Sequence, residues 1–136
     1  MFEILEHTAD IGLRASGATL KETFAEIALG LQSIAIEMAE AKGNELREIV
    51  ATGEDYESLL VNFLNEVLFL LDGARLVMTD FVVEELNSAL VRARCLTEPR
   101  DARKHTARVV VKGVTWHQLR IEQTSAGWTA EVYLDI

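Results

Sequence analysis

The chain has 136 residues, the size of one domain, and is 49% hydrophobic and 26% charged with a single proline. That composition supplies a core and excludes a disordered chain, and the formal charge of −9 excludes a broad cationic surface for gripping nucleic acid. One cysteine, Cys95, excludes an internal disulfide and a multi-cysteine zinc site, and it fits a reducing compartment.

Phe2 to His7 and Ile11 to Gly17 read as short strands. In the second, Ile11, Leu13 and Ala15 share one face while Arg14 and Ser16 share the other. His7-Thr8-Ala9-Asp10 between them is short enough for only a tight turn or bulge. Thr19 to Glu22 has the form of a capping box, and Leu20, Phe24, Ile27, Ala28, Leu31 and Ile34 follow at helical spacing, predicting a helix from Leu20 to about Met38. Lys42-Gly43-Asn44 breaks it, and Leu46 to Thr52 reads as a third strand. Asp55 caps a second helix whose apolar stripe runs from Leu59 to Leu71, with Gly73 as its stop.

The remainder is strand-like: Leu76 to Leu86, a turn at Asn87-Ser88, then Ala89 to Leu96. Thr97 to Lys104 reads as a polar loop holding Pro99. Ala107 to Val111, His117 to Gln123 and Trp128 to Leu134 complete the set, with Ser125-Ala126-Gly127 turning the last hairpin. Two helices among strands in non-alternating order predict a single α+β domain over 1–136, with a largely antiparallel or mixed β-sheet and two amphipathic helices packed on it. The acidic N-terminus is unlike a signal peptide. The longest apolar stretch, Val67 to Leu71, falls far short of the roughly 20 residues of a membrane span, so a cytoplasmic protein is expected.

Charge is unevenly spread. Up to Val91 there are five basic and 17 acidic residues; from Arg92 onward there are eight basic and five acidic. Arg92, Arg94, Arg100, Arg103, Lys104 and Arg108 read either as a solvated strand and loop or as a patch for RNA or an acidic partner. Glycine-rich phosphate loops, a nucleophile elbow and an HExxH helix are all lacking. Cys95 lies in an alternating strand, where it reads as a packing residue rather than a nucleophile.

Two places bear on chemistry. Asp10, in the turn after His7, reads by itself as an Asx-type turn residue, and His7 as a hydrogen-bonded structural residue. At the other end, Asp135 and the α-carboxylate of Ile136 are adjacent anions, either frayed into solvent or neutralised by a cation. Were the last strand to pair near the first, Asp10, Asp135 and Ile136 would form an all-oxygen cluster suited to Ca²⁺, Mg²⁺ or Mn²⁺ and not to zinc.

From end to end the chain resembles the archease family. The resemblance is carried by Phe2 to Gly12 with its core His7 to Gly12, by Asn65-Glu66 in the second helix, and by Glu98 to His105. Val111 to His117 and the ending from Gly127-Trp128 to Leu134-Asp135-Ile136 complete it. Gly113 and Trp116 depart from it, standing where the family has alanine and tyrosine. The resemblance implies an accessory protein, not itself an enzyme, for the GTP-dependent tRNA-splicing RNA ligase. That ligase joins a 3′-phosphate or 2′,3′-cyclic-phosphate end to a 5′-hydroxyl and carries GMP on its own histidine. Such a helper promotes guanylylation and multiple turnover and meets tRNA only through the ligase.

The same likeness implies a divalent-metal site at Asp10, Asp135 and Ile136 and a ligase-activating role for Lys112. His105 and His117 fall in family motifs without an assigned role. A second implied reading is a chaperone or modulator of a tRNA methyltransferase or another RNA-processing enzyme. A self-contained metal-dependent hydrolase is the third reading, and no nucleophile or general base beside the acids supports it.

Overall fold

A computed structural model describes residues 1–6, 10–38 and 41–136. Of the turn expected over His7-Thr8-Ala9-Asp10, the first three residues, like the end of the first expected strand at His7, lie outside the described residues, while Asp10 is not a turn residue but opens the second strand.

Two antiparallel sheets form. The first has the order β1-β2-β7-β6, from β1 (Phe2–Glu6), β2 (Asp10–Gly17), β6 (Gly113–Thr124) and β7 (Gly127–Asp135). The second has the order β3-β5-β4, from β3 (Glu45–Thr52), β4 (Leu76–Leu86) and β5 (Leu90–Pro99). Helix α1 (Leu20–Ala35) touches β2 and β7 of one sheet and β4 of the other. Helix α2 (Tyr56–Leu68) likewise touches β3 and β6. Each helix therefore buries residues on more than one side, and one continuous core joins Leu13, Val132 and Leu134 of the first sheet to Val77, Val91 and Ala93 of the second. The α+β class with two helices packed on antiparallel strands stands as the sequence predicts, with two sheets in place of the one expected.

Both helix starts follow from their sequences. The Thr19 hydroxyl accepts the Glu22 amide at 3.1 Å while the Glu22 carboxylate accepts the Ala18 amide at 3.0 Å. The Asp55 carboxylate accepts the Ser58 amide at 2.7 Å and the Ser58 hydroxyl accepts the Asp55 amide at 3.1 Å. Three expectations need correction. Helix α1 stops at Ala35 instead of Met38, because Ile36 turns extended and bridges Ala107, with the Glu37 amide donating to the Thr106 carbonyl at 2.8 Å. That bridge is all that forms of the strand expected over Ala107 to Val111. The supposed loop from Thr97 is strand up to Pro99, which lies opposite Leu76 at the strand end, where its missing N–H costs nothing. Past α2, Phe69–Gly73 forms one π-helical turn.

Strand β6 starts at Gly113, earlier than the alternation suggests, and its pairing with β7 is interrupted by a bulge between Thr115 and Arg120. The bulge places Gln118 at φ 54° and leaves Trp116 59% exposed. The β6–β7 hairpin closes on Gly127 at φ 141°, where any β-carbon would run into the Gly17 carbonyl. Among the described residues no helix is long and apolar enough to cross a membrane.

Candidate metal and partner-binding site

The pairing of β2 with β7 fixes the chemistry at one end of the first sheet. In that register Asp10 lies directly opposite Asp135, Gly12 opposite Tyr133 and Arg14 opposite Glu131. Directly opposed residues in an antiparallel pair present side chains on the same face, so the two aspartates are neighbours across the strands. Strand β6 adds Gly113 beside Asp135 and Thr115 beside Tyr133. Two carboxylates placed opposite each other repel unless something neutralises them, and a hard divalent cation does so with all-oxygen ligands. Ile136 follows Asp135 directly and is 40% exposed. Among the described residues no three His, Cys, Asp or Glu side chains converge as a metal site.

The residues behind the pair are tightly organised. A β-carbon on Gly12 would sit 2.9 Å from both the Tyr133 ring and Leu5 Cβ, so the bare glycine is what lets the ring lie across β2, two residues from Asp10. The Tyr133 hydroxyl donates to Glu131 Oε2 at 3.3 Å. Glu131 is buried, and its Oε1 accepts from Arg14 Nη2 at 2.7 Å and Nε at 3.0 Å, with Arg120 also near its Oε2. Burial, followed by the negative charges of Glu131 and Asp10, pushes the Tyr133 phenol above its usual pKa, so it remains a donor. The His117 ring meets the Tyr133 ring edge-on with centroids 6.2 Å apart.

Lys112 is tied to this end by its backbone: its amide donates to the Asp135 carbonyl at 2.7 Å, and its side chain is exposed. Asp10, Asp135, Ile136, Lys112 and His117 thus gather at one end of the sheet. His105 does not join them. It is buried in the loop after β5, its Nδ1 accepting the Asp101 amide at 2.9 Å and its Nε2 turned toward Glu98 Oε1 at 3.5 Å. His7 lies outside the described residues.

Each cation of the basic run has an acidic neighbour. Arg92 pairs with Glu85, Arg94 with Glu84, Arg100 with Asp72, Arg103 with Asp101, Lys104 with Glu98 and Arg108 with Glu37. Cys95 is 1% exposed, and burial pushes its thiol up to about 11 against a smaller opposite pull from Arg47. Sequence reasoning missed Gly12, Tyr133 and the Arg14–Glu131 pair. Alternation along β2 and β7 marks each as outward-facing, but only the register says which faces which.

Residues 2–136 match the Archease protein family (MTH1598/TM1083). The chain is 38% identical to Protein archease of Methanosarcina acetivorans, covering 99% of this chain and 95% of that protein. It is 38% identical to Protein archease of Pyrococcus abyssi, covering 99% and 98%. The chain belongs to the archease family. Among solved structures it resembles the solution structure of Methanobacterium thermoautotrophicum protein 1598, with 29% identity, a TM-score of 0.79 and coverage of 99% of this chain and 98% of that one. Archease membership supports an accessory role in RNA processing. Several stretches that carry the likeness in sequence meet at the Asp10–Asp135 end: the start of β2, the Val111 to His117 segment and the end of β7.

Proposed function

We propose that the chain activates the GTP-dependent tRNA-splicing RNA ligase, promoting its guanylylation and multiple turnover through an acidic, cation-holding tip. The observation that carries the reading is the register that sets Asp10 opposite Asp135. Those two carboxylates, with the carboxylate of Ile136, would hold a Ca²⁺, Mg²⁺ or Mn²⁺ ion, a donor set that suits hard cations. When bound, such an ion supplies the positive charge that phosphoryl transfer to the ligase histidine needs near its oxygens.

The chain's own residues do the rest. The Tyr133 ring over Gly12 and the Arg14–Glu131 pair stiffen the surface behind the aspartates. Lys112, anchored through its amide to Asp135, directs an exposed ammonium toward nucleotide phosphate or a ligase carboxylate. On this reading the protein is a helper that shapes another enzyme's site, and it meets tRNA only through the ligase. Its place is the cytoplasm.

The test measures GMP transfer to the ligase, with turnover, in the presence of wild type, Asp10→Ala, Asp135→Ala and Lys112→Ala. Each variant is first checked for an unchanged thermal midpoint and circular dichroism. Both aspartate variants are expected to lose stimulation about 100-fold or more, as removal of a metal ligand does, and Lys112→Ala to lose part of it. Aspartate variants that stimulate as well as wild type overturn the proposal. Suppression of methyltransferase aggregation without metal or nucleotide, together with no effect on the ligase, would favour the chaperone reading instead.

A further inference from the structure

We infer that the hollow between Arg75 and Arg100 is a binding site for a phosphate-type oxyanion, separate from the Asp10–Asp135 tip. The hollow has a volume of about 200 Å³ and is lined by Arg75, Arg100, Ala102, His105, Thr106 and Ala107. It is smaller than the roughly 300 Å³ at which drug-sized pockets begin, so it suits a small ion or a single phosphate group of a larger molecule.

Two arginines line it from different loops, joined by the Arg100 amide donating to the Arg75 carbonyl at 2.9 Å. Arg100 commits only Nη1, at 3.2 Å to the Leu71 carbonyl and 3.2 Å to Asp72 Oδ1; its Nε and Nη2 donors make no hydrogen bond among the described residues. Arg75 has no carboxylate within ion-pair distance among those residues, in contrast to the paired cations of the basic run. The other acids nearby are already engaged. Asp101 holds Arg103, while Glu98 holds Lys104 and the Lys42 amide behind the His105 ring. The lining therefore carries a positive surplus of one guanidinium, whose planar donors match oxyanion geometry.

The backbone gives an independent reason. Arg75 sits just past the π-turn at φ 59°, the left-handed position that ends helices and is normally taken by glycine or asparagine. A long cation at that position stands against a backbone preference, and such outliers gather where a side chain has a task.

The test uses the full chain, ¹⁵N-labelled, titrated with inorganic phosphate against chloride at matched ionic strength. Saturable shifts are expected at the amides of Arg75, Ala102 and Thr106. Arg75→Gly should bind phosphate at least about tenfold more weakly, the loss of one charge-assisted contact. Its thermal midpoint should not fall, because glycine suits that φ. Arg103→Gln, which removes an exposed cation outside the hollow, should bind as wild type does. A second arm uses an oligoribonucleotide without terminal phosphates. Shifts of the same amides at lower concentration identify a strand phosphate as the ligand, and shifts with inorganic phosphate alone identify the free ion. Lack of saturable shifts with either probe, or equal binding by Arg75→Gly, overturns the inference.

Discussion

Cys95 shows how a local pattern and a packed environment decide the chemistry of one side chain. It lies on the inward face of β5 between Ala93 and Thr97, and burial holds its thiol near pKa 11. At pH 8 almost none is thiolate, and almost none of the surface is open to a reagent. Iodoacetamide is expected to leave native protein unmodified over hours at pH 8 and to alkylate Cys95 rapidly in denaturant, read by intact mass. Rapid native labelling would mean that β5 opens far more easily than its packing implies. Alternation alone placed this cysteine inward. Nothing as local marks Gly12, whose role exists only because Tyr133 arrives opposite it from 121 residues further along the chain.

Elements are fixed by what crosses between them. Gln32 of α1 is fully buried, its amide nitrogen donating to the Met78 carbonyl at 2.6 Å and its Oε1 accepting the Met78 amide at 2.8 Å. It completes the backbone hydrogen bonding of β4 from the side. Gln32→Leu strands two buried backbone groups and is expected to destabilise by about 2–4 kcal/mol in urea denaturation. A loss under 1 kcal/mol would show that the groups find other partners.

The loop after β5 depends on pH in the same way that its bonds suggest. Burial disfavours the Glu98 carboxylate, but the Lys42 amide and the Lys104 ammonium, by hydrogen bond and charge, outweigh it and hold the carboxyl below its ordinary 4.5. A folded pKa below the unfolded one gives stability that is present at neutral pH and lost as pH falls below about 4.5 through the lowered value. Urea midpoints between pH 7 and 3.5 should therefore fall more steeply for wild type than for Glu98→Gln; parallel slopes would contradict that role. Helix starts and turn residues were legible because caps and Asx turns act over three or four residues. The end of α1 was not, since Ile36 leaves the helix to bridge Ala107. The β6 bulge was hidden as well, because it shows only against the ladder with β7.

At the scale of the whole molecule, the expectation of one sheet became two, with each helix touching both. Alternation predicts strands but not which strands pair, and strand order depends on contacts distant in sequence. The same limit governs the site. The sequence marks two acidic ends, and only the fold puts Asp10 opposite Asp135. Most cations of the second half have an acidic neighbour among the described residues, Lys112 being an exception. Lys112 and Trp116 are exposed beside the acidic end of the first sheet.

Calorimetric titration of Ca²⁺, Mg²⁺ and Mn²⁺ into the purified chain addresses that end directly, with Asp10→Asn and Asp135→Asn in parallel. One ion per chain is expected for wild type. Each Asn variant should bind at least about tenfold more weakly. Wild type that binds none of the three ions, or Asn variants that bind them equally well, would contradict a cation-holding tip.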